Sequence, residues 1–530
     1  MLSPKTSSAA GADGPLPVPG PYLEPFIDPL PVSRIKTATT LTPLPARFPV
    51  AGEAGREPHQ RFEELRPQIY YEINVREARH RFHTQLPEER VWGYDGLVPG
   101  PTFVNRINVP IVVRFRNQLP LDHVGFGSPE IATHLHSGHV GPAADGFAGD
   151  YFSPRKAGPT LRYPGAFYDY HYPNLPNGSD QREITNTLWY HDHRDEFTAP
   201  NVYKGLAGFY LVFDNLDTGN ETTGLRLPSG VGRYDIPMLL QDKKFDVGGN
   251  LVYNQFDPEG LIGNHFLING KVQPYFRVEG RKYRFRLLNG SMARYFEMFL
   301  TDGQDRNQDF VFIGSDGNLL ERPVILKKIL LGMGERADII VDFSRYAPGT
   351  VLYLVNRIAQ DDPRKPRENR LYPGIRMLRI EVGERTPDNS VIPAFLRPEA
   401  PRANPLGARR RKWMFERNNG QWSINGKFFD PERVDAVVKQ GVPEIWELVA
   451  DSGGWAHPIH IHLEDFRILS LNGKAPPPEW SGRKDTVSLL PGWRAEVLVR
   501  FRDFTGKYMM HCHQHAHEDH AMMIRFDVVP

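Results

Sequence analysis

The sequence predicts an all-β protein built from three β-sandwich domains. Three observations carry this. A strand unit recurs at two places, a tight-turn dipeptide recurs at three, and 48 prolines and 48 glycines punctuate 530 residues with turns. No long stretch shows helical periodicity.

The repeated unit is clearest in Gly334-Glu335-Arg336-Ala337-Asp338-Ile339-Ile340-Val341-Asp342-Phe343 and Gly492-Trp493-Arg494-Ala495-Glu496-Val497-Leu498-Val499-Arg500-Phe501. Val497, Val499 and Phe501 alternate with Glu496, Leu498 and Arg500, the period of a strand with one buried face. Each run is followed by a turn and a further strand, 349–356 and 506–513. The turn dipeptides are Asp95-Gly96, Asn269-Gly270 and Asn425-Gly426. Such pairs favour tight turns, and each precedes a strand, at 111–117, 283–289 and 445–451. The spacing sets domains at 59–215, 216–385 and 386–530. They follow a Pro/Gly-rich segment over 1–58, of which about the first thirty residues read as an extended arm. Residues 383–412 read as a loop-like linker whose basic run, Arg409 to Lys412, is a solvated face.

A net charge of +1 gives no reason to expect nucleic acid or an anionic membrane as partner. No apolar run approaches the roughly 18 residues of a transmembrane helix. The first thirty residues lack the basic start and apolar stretch of a signal peptide. A single cysteine rules out an intrachain disulfide.

That cysteine, Cys512, lies between His511 and His513. His517 follows five residues later and Met522 ten. Ten of the 19 histidines fall in four clusters: His134 and His136; His191 and His193; His457, His460 and His462; and His511, His513 and His517. On a strand, residues i and i+2 point the same way, so each His-x-His pair aims two imidazoles at one point. Four converging pairs supply eight nitrogens, enough for three copper ions. His457, Cys512 and His517 form a His₂Cys set with Met522 as weak axial thioether, the ligand set of a blue-copper site. The backbone at Cys512 then links the two centres over roughly a dozen ångströms, given about 3.3 Å per residue. Structural zinc would favour cysteine-rich sites and has no use for eight paired histidines.

With these residues in view, the chain resembles the multicopper oxidases, and most closely their bilirubin oxidase and bacterial spore-coat laccase branch. The resemblance runs from about residue 65 to the C-terminus. It rests on Trp92-Gly93-Tyr94-Asp95-Gly96 with Pro99-Gly100-Pro101-Thr102, on Trp189-Tyr190-His191-Asp192-His193, and on the four histidine clusters, the last extending through Glu518-Asp519-His520-Ala521 to Met522-Met523. It implies three cupredoxin-like domains with a three-copper cluster between the first and third, the middle one free of copper and shaping the substrate surface. It implies four copper ions. His457, Cys512, His517 and Met522 take the type 1 ion, and His134 and His460 the type 2 ion. His136, His191, His193, His462, His511 and His513 take the type 3 pair. Asp145 and Glu518 match acids that relatives place near the cluster, as proton relays. The implied reaction oxidises phenols, aromatic amines or tetrapyrroles such as bilirubin one electron at a time and reduces O2 to water. A metallo-oxidase of cuprous or ferrous ions is the second reading, against which the 11 methionines form no rich insert. A non-catalytic copper-binding coat or envelope protein is the third, against which every ligand position is filled. A monomer in an extracellular, periplasmic or spore-coat setting is expected.

One departure from the family pattern is Ser137, which precedes Gly138 where the family usually has glycine. Its hydroxyl is expected to point away from the cluster. Trp455 is expected against the His457 imidazole, either guiding electrons or capping the core. His139, His515 and His520 match no ligand position and are expected to be exposed or to lie behind the ligands.

Overall fold

The computed structural model describes residues 20–40 and 44–530. The start of the Pro/Gly-rich segment, residues 1–19, lies outside the described residues, as do 41–43.

The fold is all-β, three cupredoxin-like sandwiches, each of two sheets. The first pairs Glu89–Tyr94, Ile69–His80, Ile111–Gln118 and Phe167–Tyr172 in one sheet with Gly100–Arg106, Ala207–Phe213, Thr187–Asp192 and Thr133–His136 in the other. The second has sheets of seven and six strands, and the third sheets of six and five. Each repeat begins the same way. A long strand runs parallel to the one that follows the turn dipeptide: Ile69–His80 beside Ile111–Gln118, Asp235–Lys243 beside Lys282–Asn289, and Arg409–Asn418 beside Glu444–Asp451. At the turns themselves Asp95, Asn269 and Asn425 have φ of 55°, 50° and 52°, and their glycines 68°, 75° and 72°. Both central residues are left-handed, the requirement that selects Asn-Gly and Asp-Gly.

Alternation in 492–501 translates directly into packing. Val497, Val499 and Phe501 are buried and Glu496 and Arg500 reach the surface, but Leu498, on the face of the latter two, is buried as well. Each sandwich closes over its own apolar core. Phe285, Leu287, Ile339 and Leu354 are central to the second, and Trp446, Leu448, Val497 and Phe526 to the third.

Two expectations change. The basic run Arg409 to Lys412 is not linker. It opens the strand Arg409–Asn418, where Arg411 pairs with Glu444 at 2.6 Å and Arg410 with Glu496. A run of charge on an edge of the ladder reads like a loop in sequence because it carries no alternation. The arm, at residues 20–40, is extended as expected but docked. Phe26 and Leu30 donate backbone bonds to Gln273 and Tyr275, Lys36 donates to Thr102, and Leu23 and Leu30 are buried.

The connector 383–408 holds no strand and is tied down by Arg397, which bonds Asp214 and the Gln181 carbonyl of the first sandwich. The third sandwich meets the first through Asp519, whose carboxylate accepts from the backbone N–H groups of Thr198 and Ala199, at 2.8 and 2.9 Å, where the helix Thr198–Lys204 begins.

Candidate metal centre

Two strand pairings build the centre. In the first sandwich Thr133–His136 lies antiparallel to Thr187–Asp192, setting His134 opposite His191 and His136 opposite Trp189. In the third, His457–Ile461 lies antiparallel to Gly506–Cys512, setting His460 opposite His511 and Ile459 opposite Cys512. The two faces meet at the domain seam, and all eight paired imidazoles converge there, fully buried.

The rings sort into groups by the nitrogen each turns inward. His134 and His460 donate Nδ1–H to the carbonyls of Asp145 (2.5 Å) and Asp485 (2.9 Å). Their Nε2 atoms are buried with no partner. His193, His462 and His511 bring three Nε2 atoms together, with His511 at 3.2 Å from each of the others. His136 Nδ1 and His513 Nε2 stand 3.2 Å apart, and His191, whose Nδ1–H donates to the Asp192 carbonyl, turns its unpartnered Nε2 to the same place.

On the other face of the Cys512 strand, Sγ lies 3.4 Å from His457 Nδ1 and 3.5 Å from His517 Nδ1, which are 3.3 Å from each other. Met522 is fully buried beside them. Its N–H donates to the His517 carbonyl at 2.9 Å, and its own carbonyl accepts from Cys512 N–H at 3.1 Å.

These sets fit metal ions and fit little else. Ligand nitrogens about 2 Å from one ion stand roughly 3.3–3.5 Å apart, close to the spacings observed. Burial pushes His457 and His460 down to about 3 and His193 down to about 4, so the rings are neutral with lone pairs free. Burial also pushes the Cys512 thiol up, so a bound cation is what would ionise it. Unpartnered buried nitrogens facing one another at this density would otherwise cost several kcal/mol. All-nitrogen sets beside a His₂Cys set suit copper.

The residues behind the ligands are fixed by hydrogen bonds. Asp145 accepts from His462 Nδ1 at 2.8 Å, and burial pushes its carboxyl well above the usual carboxylate range. Glu518 is buried between His511 Nδ1 (3.2 Å) and His193 Nδ1 (3.5 Å). Ser137 bonds to residues behind the ligands rather than to an imidazole. Its hydroxyl donates to the Asp485 carboxylate and accepts from Arg336 Nη2. His139 is buried, bonded to Asp503 at 2.7 Å and to the Leu463 carbonyl. His515 is buried with its ring centre 4.8 Å from that of His513, and His520 is partly exposed.

Trp455 differs from expectation. Its ring lies on His517, at 5.2 Å between centres, and on Trp422 at 4.9 Å. The rings that face His457 are Phe415 and Trp422, at 6.0 and 5.9 Å. Trp422 sits closer still to His517, at 3.7 Å. Sequence reasoning missed Trp422, and it missed Asp485. The carboxylate of Asp485 accepts from His136 Nε2 at 3.1 Å and pairs with Arg336 at 2.7 Å, while its carbonyl holds His460. Neither carries a local signal, because each reaches the site across a sheet or a domain boundary.

Comparison with known proteins agrees with this geometry. Residues 74–217, 241–370 and 403–530 each match a family described as multicopper oxidase. Bilirubin oxidase from Albifimbria verrucaria is 36% identical over 475 residues, covering 86% of this chain and 76% of that protein. A laccase from Bacillus subtilis is 32% identical over 536 residues, covering 88% and 95%. Among solved structures, a laccase from Pediococcus acidilactici superposes with a TM-score of 0.75 at 25% identity, covering 97% of this chain and 95% of that one. With the buried histidine sets and the sequence similarity in agreement, the chain belongs to the multicopper oxidase family.

Proposed function

We propose that the chain holds four copper ions and couples four one-electron oxidations of phenolic, aromatic amine or tetrapyrrole donors to the four-electron reduction of O2 to water. In this reading His457, Cys512, His517 and Met522 would hold the type 1 ion. His134 and His460 hold the type 2 ion. His136, His191 and His513 hold one type 3 ion and His193, His462 and His511 the other. The three repeats divide at 59–215, 216–385 and 386–530, a division supported by the three pairs of sheets. The observation that carries the reading is Cys512. Its sulfur lies in one donor set while the residues on both sides of it, His511 and His513, lie in the other.

Copper at these sites supplies the one-electron steps and the binding of O2. The chain supplies the rest. The backbone from His511 to His513 joins the two donor sets covalently. Carbonyls of Asp145, Asp192 and Asp485 fix which nitrogen of His134, His191 and His460 turns inward. The burial of all the rings keeps bulk water from them. Water formation consumes protons. Asp145, whose carboxyl burial pushes well above the usual carboxylate range, and Glu518, between His193 and His511, serve in this reading as proton relays to the cluster. Trp422 and Trp455, both buried, cover the His517 ring.

The test is metal analysis, a visible spectrum and oxygen uptake on the copper-loaded protein. Four coppers per chain, intense blue colour, and uptake faster with a phenol or bilirubin than with ferrous ion are expected. Well under four coppers, or uptake with ferrous ion alone, would refute it.

A further inference from the structure

Away from the copper ligands, the third sandwich carries a cluster of arginines that none of the chemistry above uses. A cavity of about 40 Å³ is bounded by Arg402, Arg467, Arg483, Arg500 and Arg502, with Glu183 and Asp465 as the acids of its wall. It lies where the connector, the first sandwich and the third sandwich meet.

Strand register forces the arginines together. Arg467, on Phe466–Leu471, stands directly opposite Arg483 in the antiparallel ladder, and its other neighbour is Leu498 on Arg494–Val499. Arg500 follows Leu498 by two residues and also faces the cavity. Like charges directly opposite on a sheet repel, and burial increases the cost. Arg483 is only 6% exposed.

The acids present do not balance this charge. Asp465 takes Arg483 Nη2 at 2.5 Å, and Glu464 and Glu183 take Arg502. Glu399, at 3.4 Å from Arg467 and 3.6 Å from Arg402, is shared between them. Four carboxylates therefore serve five guanidinium groups. Among the described residues, Nη1 of Arg483 is buried without a hydrogen-bond partner, and Nη1 of Arg467 has only the Glu399 carboxylate, at 3.4 Å. Burial draws the Arg467 pKa below its usual value, and Arg483 and Arg402 draw it further despite Glu399. A buried guanidinium with unused N–H groups and surplus positive charge calls for an anion. The cavity has room for roughly three water-sized atoms, too little for a nucleotide and suited to one tetrahedral oxyanion.

We propose that the five arginines form a binding site for a single small oxyanion of the phosphate class, which clamps the connector at Arg402 to the third sandwich. Forked guanidinium groups gathered around one small cavity match a tetrahedral anion better than a planar one or a halide.

The experiment is calorimetric titration of the copper-loaded full chain with inorganic phosphate at constant ionic strength, alongside thermal unfolding. Saturable binding of one phosphate per chain and a rise in Tm beyond that from sodium chloride are expected. Acetate should bind at least tenfold more weakly. Arg500→Gln removes a group engaged in no ion pair described above and should weaken phosphate binding at least tenfold while keeping the copper content. Arg467→Gln should do the same, and because neither side chain pairs with a residue of the metal centre, phosphate bound at copper would be unaffected by either. Absence of saturable binding, equal affinity for phosphate and acetate, or unchanged affinity in both variants would overturn the proposal.

Discussion

The Nδ1–H of His462 donates to Oδ2 of Asp145 at 2.8 Å, joining an imidazole of the third sandwich to a carboxyl of the first. The same aspartate takes His134 Nδ1–H on its backbone carbonyl. One residue thus orients rings in two of the three sets of the cluster, and its carboxyl is fully buried. Asp145→Asn keeps the shape and the backbone contact but removes the acid. Losses behind metal ligands run at about 10–100-fold. Single-turnover kinetics should show reoxidation by O2 slowed within that range while reduction by the donor changes little. Equal slowing of both half-reactions would take Asp145 off the proton route.

Cys512→Ser tests the junction between the two donor sets. The sulfur is the site's one thiolate and lies within 3.5 Å of both Nδ1 atoms. A serine oxygen is a poor partner for copper in such a site. The variant should lose the blue absorption and one copper per chain, and oxygen uptake should fall to background. Retained oxidase activity would contradict the assigned path.

Ser137 allows backbone strain to be separated from hydrogen bonding. Its φ is 67°, in the left-handed region, and its hydroxyl joins Arg336 to Asp485. Alanine and glycine both remove the hydroxyl, but only alanine keeps the strain. Ser137→Ala should therefore be less stable than Ser137→Gly by about 1 kcal/mol. Denaturant midpoints compare the two, and equal midpoints would mean that the surroundings absorb the strain.

Much of this centre was legible because strands have period two. His134 with His136, and His511 with His513, could be read as co-directed pairs around one cysteine without any coordinates. The turn dipeptides gave the repeat because left-handed φ at two successive residues restricts sequence so strongly. Asp485, Arg336 and Trp422 were not legible. Each acts across a sheet or a domain seam, and contacts of that kind leave no periodic trace. Trp455 packs on His517 rather than on His457, its neighbour in sequence, for the same reason. The arginines of the anion cavity were invisible for a further reason: register, not spacing, brings Arg467 opposite Arg483.

His139 links pH to the seam between the first and third sandwiches. Burial alone would lower its pKa, but Glu464 and its bond to Asp503 outweigh that, so the folded value lies above 6.5. A raised histidine pKa contributes stability that is fully present below the unfolded value and is lost as pH rises through the folded value. His139→Gln keeps a hydrogen bond without the charge. The stability difference between wild type and variant should be larger at about pH 6 than at about pH 9, measured by denaturant midpoints. A difference independent of pH would remove the charge from the argument.

Met522→Leu examines the axial position. The backbone of Met522 is held independently of its side chain, by bonds to the His517 carbonyl and from Cys512 N–H. Leucine has nearly the same volume, and such swaps cost about 1.5 kcal/mol or less, so His457, Cys512 and His517 should keep their places. A thioether donates electron density and favours the oxidised ion more than the reduced one. Removing it should raise the potential of the type 1 site while turnover continues. Potentiometric titration of the blue absorption reads this directly. An unchanged or lowered potential would mean that the Met522 sulfur does not face the site, and that the His₂Cys set acts without an axial ligand from this residue.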